Sequence, residues 1–587
     1  MHMMIIKSNA DDPNNYRGIT LLSCVGKLFT GILNVRLNVF CEVFNILSEN
    51  QAGFRKRHST IDHSFVLKSL CDIMKFQKKK LFVAFIDYVK AFDKIWRQGL
   101  WYKLKQYNIK GKILAVIQSM YSSIKSCIIG AGGATSDFFE SHIVLRQGEN
   151  LSPILFGMFE NDLEQYLIQE GNSGIELGNY TGIDMYLKLF VLLYADDTIL
   201  LSSSAAGLSK ALSGLESYCV LLKLKVNSQK TKIVIFGIRH KHNNYSFSFN
   251  NSDLEIVSTF KYLGIIFNVN GNFSLAKQQQ KTQAERAMFC LLNKCKKLKL
   301  PIDIQLELFD KIVVPILLYG SEIWGFENVK VLESLHLKFC KYILNVKKST
   351  PNCMVYGELG RFSLDLNIKC RVIAFWANLV FFKNDKISRN MYTLLRQMHD
   401  KNVYTSKWMS YVKSILDTCG LSNIWSQYEN VNVKWLKLKV KQTLQDHFIQ
   451  EWHESMQTNR KAINYRLFKT EFKFENYLVK VPDRLRITLC NFRVGSSKLP
   501  VERGRYQNIE RERRYCNICN CNKLGDEFHL LLECNGQNMN DLRKKYLPKF
   551  CQSGANVVKF ESLLNSQSVV KLTQLAKFLV ECNKLLT

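Results

Sequence analysis

A chain of 587 residues with 47% hydrophobic content can bury several cores, so three or four domains are expected. Its 81 Lys and Arg against 50 Asp and Glu leave a net charge of +31, which suits a polyanionic partner but does not separate RNA from DNA, or a polymerase from a passive binder. The 18 cysteines are scattered through apolar segments such as LLSCVG and AMFCLL, which excludes the dense framework of a small secreted disulfide scaffold. The opening MHMMII is too short for a signal peptide. No uncharged stretch approaches the roughly 20 residues of a membrane span, so no membrane partner is expected.

In chain order, the first chemically suggestive side chain is Arg55 in QAGFRKRH, a planar fork of donors suited to phosphate oxygens, with a solvated surface arginine as the alternative. Leu81 to Ile86 (LFVAFI) is a β-rich apolar run ending at Asp87, and Val89, Phe92 and Trp96 then recur at helical spacing. Asp87 therefore sits where a strand hands over to a helix, a position that also suits a helix N-cap. Phe92 is either a core residue of that helix or a ring pressed on the sugar of a bound nucleotide. Gln147 and Gly148 follow in RQGENLSP, where the glycine lets the backbone approach a flat base.

Tyr194-Ala195-Asp196-Asp197, between LFVLL and TILLS, places two adjacent carboxylates at the bend of a hydrophobic hairpin. Asp-Asp is ordinary turn chemistry. A buried pair of acids, however, needs a compensating cation. With Asp87 the pair makes three carboxylates, a set suited to two Mg²⁺ ions and in-line phosphoryl transfer. Neighbours on a strand point to opposite faces, so Asp196 is expected to ligate with Asp87 and Asp197 to be the weaker partner. Lys230 in NSQKTK is either a proton donor to a pyrophosphate leaving group or a plain surface lysine.

Beyond about residue 275 the pattern changes from mixed strands to long helical periodicity, beginning with QQQKTQAERAMFCLLNKCKKLKL. Lys294, Lys296 and Lys297 either face nucleic-acid phosphates or complement a helix C-terminus. Trp408, Trp425, Trp435 and Trp452 read as core, with stacking on single strands as the alternative. In YCNICNCNKLGDEFHLLLEC, Cys516, Cys519, His529 and Cys534 have the spacing of a tetrahedral Zn²⁺ site, and Cys521 is close enough to replace Cys519. Arg503, Arg505, Arg511, Arg513 and Arg514 precede it and can hold a phosphate backbone. A zinc that merely folds this end of the chain is compatible with that reading.

Seven segments in family order resemble the reverse transcriptases of non-LTR, LINE-type retrotransposons: NNYRGITLLSCVGKLFTGILNVRL with Arg17 and Lys27, QAGFRKRHSTIDH, FIDYVKAFD, RQGENLSPILFGMFENDL, YADD, LKVNSQKTKIVIFG and FKYLGIIF. The Cys-Cys-His-Cys segment resembles the C-terminal motif of the same family. The resemblance implies an α+β right-hand polymerase, with fingers and a palm on an antiparallel ferredoxin-like sheet over residues 1–275 and a helical thumb over 276–375. A helical, basic and aromatic region over 376–500 and the zinc-knuckle segment and tail over 501–587 would follow.

It further implies Asp87, Asp196 and Asp197 as ligands of two Mg²⁺, Arg55 on the incoming triphosphate, and Phe92, Gln147, Gly148 and Lys230 around nucleotide and template. The implied partners are template RNA, primer or target DNA and deoxynucleoside triphosphates, in the nucleus or a cytoplasmic ribonucleoprotein. Two departures stand out. Glu149 and Asn150 occupy positions where the family usually has Cys or Asp and then Pro, and an acid there is expected to repel a triphosphate slightly. The finger motif reads ArgLysArgHis where a glycine usually stands. A chain of this length starting near the fingers leaves no room for an endonuclease, so a truncated copy is expected. The rival reading is an inactive or domesticated relic that only binds nucleic acid.

Overall fold

The computed structural model describes residues 2–6, 16–122, 125–129, 135–140, 145–178, 183–237, 245–382, 386–426, 431–519, 521–536, 538–550 and 554–586. They form a mixed α+β fold in two compact units, one of residues 1–276 and 377–411 and one of residues 277–376 and 412–587.

The first unit is built on an open five-stranded sheet in the order Glu255–Ile256, Lys232–Phe236, Leu81–Ile86, Asp197–Ser202, Val191–Tyr194. Three of its pairings are antiparallel, as expected, but the outermost, between Lys232–Phe236 and Glu255–Ile256, is parallel. The small hairpin of Ser248–Phe249 and Ser252–Asp253 adds one more reversal of the chain before Glu255.

LFVAFI is apolar at every position because both faces of this central strand are covered. Phe82, Ala84 and Ile86 join a core with the helices Arg97–Gln106, Ser152–Glu160 and Ala205–Leu222. With a period of two, Phe85 turns the other way and stacks on Phe260, 4.2 Å between ring centroids, in the hairpin of Thr259–Tyr262 and Ile265–Asn268. The helix Thr60–Phe76 starts at Ser59, whose N–H donates to Asp62 Oδ2 (2.8 Å), and Asp62 Oδ1 accepts from Ser388 Oγ (2.8 Å). Trp408 meets Phe65 edge-on at 4.9 Å.

The helix Cys24–Val43 buries Leu33, Leu37 and Cys41 and leaves Val25, Leu28, Val35, Val39 and Val43 exposed. Among the described residues it alone is long and apolar enough to cross a membrane by length and composition, and it carries Lys27, Arg36 and Glu42. The Arg17 side chain lies outside the described residues.

The second unit is mostly helical. Its buried centre is an ion cluster: the Arg493 guanidinium donates to both oxygens of Glu358 (3.0–3.2 Å) and to the Leu564 carbonyl (2.6 Å), and pairs with Glu475 at 3.2 Å. The side chains of Arg493 and Glu358 are wholly buried, and the Tyr477 hydroxyl donates to Glu358 at 2.5 Å. The helices Asn352–Leu359 and Asp483–Arg493 are thereby tied together. Trp408, Trp425 and Trp452 are buried, in keeping with the core reading, whereas Trp435 is half exposed.

Removing one member of a buried ion cluster strands the others without compensation. Arg493→Met is therefore expected to destabilise the second unit by about 3–5 kcal/mol, read as a lowered urea midpoint. A midpoint that does not move would mean that the cluster is hydrated in solution.

Candidate active site and metal centre

Tyr194 pairs with Asp197, so Ala195 and Asp196 alone form the hairpin bend. Ala195 has φ +57°, a left-handed conformation that a two-residue hairpin demands and that side chains other than Asn, Asp or Gly resist. The segment around Gln51 holds it there. Leu193 N–H donates to the Asn50 carbonyl (2.8 Å) and Ala52 N–H to the Leu193 carbonyl (2.9 Å), so this segment runs as an added edge beside the hairpin. The fully buried Gln51 side-chain oxygen then accepts from Gly53 N–H (3.0 Å) and Ala195 N–H (3.2 Å). A Cβ on Gly53 would lie 2.2 Å from Ala195 N and 2.9 Å from the Tyr194 carbonyl carbon.

Asp87 arrives from the neighbouring strand. Ile86 is paired with Thr198, so Asp87 and Asp197 follow as the next positions at that end of the sheet. The turn carrying Lys230 pins Asp87: its N–H donates to Thr231 Oγ1 (3.2 Å), its carbonyl accepts from Asn227 N–H (2.7 Å), and Val89 N–H donates to the Lys225 carbonyl (2.7 Å). Loss of water around its carboxyl on burial, then repulsion by Asp196 and Asp87, pushes Asp197 up to about 6. Asp197 is nonetheless the most exposed of the three. Repulsion within the cluster is the part of that shift which a bound cation removes. Clustered carboxylate oxygens are the donor type that hard divalent ions prefer.

Asp196 faces a cavity of about 500 Å³ whose wall includes Phe54, Phe92, Gln147, Gly148 and Asn150. Gly148 has φ +102°, which a Cβ would strain. Phe92 packs on Phe156 (4.6 Å between ring centroids), in keeping with the core reading, and also lines the cavity. The Gln147 carbonyl accepts from Thr20 N–H at 2.7 Å.

One expectation needs correction. Arg55 is buried, with its guanidinium donating to Glu42, Glu49 and the carbonyls of Ser48 and Gln51 at 3.0–3.2 Å. These contacts occupy the fork that was to meet a triphosphate, so Arg55 braces the Gln51 segment instead. Glu149 also lines this cavity, its buried side chain accepting from the Tyr121 hydroxyl at 2.5 Å with Arg146 3.6 Å away, so the acid expected to repel an anion does stand beside it. Lys230 is exposed on the turn behind Asp87 and is not among the residues lining the cavity.

Gln51, Gly53, Phe54 and Glu160 were not singled out from the sequence as site residues. Glu160 is wholly buried, and burial followed by repulsion from Asp196 pushes its carboxyl up to about 8 despite the Tyr88 hydroxyl nearby. Burial thus favours its protonated form. The QAGF run hinted at the first three through its glycine; nothing local marks Glu160.

In the second unit, the ligand atoms of Cys516, Cys519, His529 and Cys534 all lie within 4.8 Å of one another, and all four residues are buried. Cys516 Sγ is 3.8 Å from Cys534 Sγ and Cys519 Sγ is 3.3 Å from His529 Nε2. Tetrahedral bonds of about 2.3 Å to sulfur would separate two thiolates by roughly 3.8 Å. His529 Nδ1 is 3.3 Å from Glu533, the outer contact that fixes a ligating imidazole. Cys521 is exposed beside Asn535, which leaves Cys519 as the ligand. Most of the neighbouring arginines are engaged within the fold: Arg514 with the carbonyls of Val501 and Ile509, Arg511 with Asp526, and Arg505 with Glu502. Arg503 and Arg513 remain exposed.

Gly53→Ala is expected to push the hairpin off its seat. Amide exchange at residues 193–197 should rise at least tenfold while exchange in the helix Ala205–Leu222 stays as it was. Unchanged exchange at the bend would mean that the Gln51 segment does not hold it.

Residues 5–267 match the family model described as "Reverse transcriptase (RNA-dependent DNA polymerase)". The chain is 28% identical over 379 residues to the probable RNA-directed DNA polymerase from transposon BS of Drosophila melanogaster, covering 61% of this chain and 38% of the relative. It is 25% identical over 365 residues to the RNA-directed DNA polymerase from mobile element jockey of Drosophila funebris, covering 57% and 37% respectively. It is 26% identical over 378 residues to the retrovirus-related Pol polyprotein from type-1 retrotransposable element R2 of Popillia japonica, covering 62% and 50%. The chain thus spans half or less of these relatives' own length. Together with the paired hairpin and Asp87, these matches show that the chain carries a reverse-transcriptase domain homologous to RNA-directed DNA polymerases of non-LTR retrotransposons.

Proposed function

We propose that the chain is an RNA-directed DNA polymerase of the non-LTR retrotransposon type, extending a DNA primer on an RNA template. The observation that carries this reading is the convergence of Asp196 with Phe92, Gln147 and Gly148 on one cavity, next to a carboxylate cluster completed by Asp87 and Asp197. Two Mg²⁺ ions on those carboxylates would activate the primer 3′-hydroxyl and neutralise charge on the triphosphate as the α-phosphate is attacked. The chain's own groups do the rest. Gly148 admits a flat base, the Phe92 ring bounds the sugar, and the Gln51 segment keeps the Asp196 bend from relaxing. In the protonated form that burial favours, Glu160 behind Asp196 adds no further negative charge to a site that must accept a triphosphate.

In this reading residues 1–275 are fingers and palm, residues 276–375 the thumb, residues 376–500 a helical extension and residues 501–587 a zinc knuckle with its tail. Lys294, Lys296 and Lys297, all exposed, are placed to meet the phosphates of a bound duplex. The enzyme would work in the nucleus or in a cytoplasmic ribonucleoprotein.

Purified protein with Mg²⁺ and dTTP is expected to extend oligo(dT) on poly(A), and Asp196→Ala to abolish extension while still binding the primer–template. Binding by both without extension by either would leave a protein that only binds nucleic acid.

We also propose that Cys516, Cys519, His529 and Cys534 hold one structural Zn²⁺. Thiol modification should release one equivalent of zinc from the parent and from Cys521→Ser, and Cys519→Ser should be purified with much less. Zinc lost from Cys521→Ser and kept by Cys519→Ser would reverse the ligand assignment.

A further inference from the structure

The second unit contains a groove of about 1150 Å³ whose lining includes Lys296, one of the three lysines assigned above to a duplex, but neither Lys294 nor Lys297 and none of the three site carboxylates. It lies among the C-terminal turn of the helix Ser274–Leu298, the start of Ile302–Leu308, the helix Lys330–Leu344 and the helix Asp483–Arg493. A small-molecule pocket is typically roughly 300–1,000 Å³, so this one is long enough for a short run of a polymer.

Its lining is one-sided in charge. Lys296, Lys299, Lys338, Lys341, Lys348 and Arg486 stand against a single acid, Asp483, which is already paired with Arg486 at 3.0 Å. Lys338 pairs with Glu285 at 2.6 Å. Lys296, Lys299 and Lys348 have no ion-pair partner among the described residues and are exposed. Lys341 donates to the Lys348 carbonyl (2.9 Å), and burial followed by repulsion from Lys461 lowers its affinity for a proton. Such a set of cations is stabilised by an anion and by little else nearby.

The floor is apolar, with Leu292, Leu300, Ile302 and Leu478 at the lining, and the Tyr342 ring is 59% exposed beside the lysines. A duplex offers only phosphates to such a surface. A single strand offers phosphates to the lysines and unstacked base faces to the ring and the apolar floor.

We propose that this groove binds a short stretch of single-stranded nucleic acid, with phosphates on Lys299, Lys341 and Lys348 and a base on Tyr342. The site requires no catalysis, so it stands or falls separately from the polymerase reading.

The test uses the full chain without Mg²⁺ or triphosphates. A fluorescent oligonucleotide of uridines carrying 4-thiouridine, its deoxythymidine counterpart and a blunt duplex are titrated by anisotropy, and the photo-crosslinks of the thiouridine strand are mapped by mass spectrometry. Crosslinks are expected in residues 334–348 or 478–487. Lys299→Gln with Lys348→Gln should weaken single-strand binding about tenfold and shallow its salt dependence by about 0.7 log units per lysine. Tyr342→Ala should weaken it several-fold while duplex binding holds. Because these three side chains are exposed, thermal melts should match the parent.

Preference for the uridine or the deoxythymidine strand would tell whether RNA or DNA is the occupant, and either supports the site. The proposal is overturned if crosslinks map elsewhere and the lysine pair changes nothing. It is equally overturned if heparin and RNA compete alike and Tyr342→Ala has no effect, which would make the groove an unselective polyanion surface.

Discussion

The carboxylate cluster depends on a backbone conformation that its own residues disfavour. Ala195 must be left-handed for a two-residue bend, and the bend is what brings Asp196 to the cavity and Asp197 alongside Asp87. Gln51 secures it by accepting the Ala195 N–H in a buried place where water cannot compete. Gly53 makes the approach possible by having no Cβ, and Arg55 braces the same segment through Glu42 and Glu49. The QAGFR run therefore serves the hairpin of Asp196 and Asp197 through hydrogen bonds and packing.

Charge is distributed with the same economy of partners. Two other acids near the hairpin are held differently: Glu149 accepts from the Tyr121 phenol with Arg146 3.6 Å away, and burial favours the protonated form of Glu160. Asp196 and Asp87 repel Asp197. A cation bound among them would relieve that repulsion. In the second unit the opposite arrangement holds, with cations on an open groove and the buried Arg493 satisfied by Glu358 and Glu475. The net charge of +31 is therefore unevenly spread.

Much of the sheet was legible because its determinants are local. LFVAFI is a strand by composition, YADD a bend by its flanking runs, and Cys516, Cys519, His529 and Cys534 a metal-type cluster by their spacing, since in each case the residues that decide are within about one or two elements of each other. Cys521 lay within the same local window, and only the turn geometry, which leaves it exposed beside Asn535, separated it from Cys519.

What the chain alone determined, then, was the kinds of residue and the order in which they arrive. Tertiary structure decided their partners. Arg55 looked available for phosphate because its guanidinium is a planar fork of donors in a motif resembling one that meets a triphosphate, yet Glu42 and Glu49 reach it through the fold. Glu160 reads as an ordinary helix residue until packing puts it behind Asp196 in the dry core. Edge direction, too, turned on one extra hairpin between Phe236 and Glu255. The physical reason is common to all three: a charged or hydrogen-bonding side chain takes its character from whatever long-range contacts surround it, and periodicity along the chain does not encode those contacts.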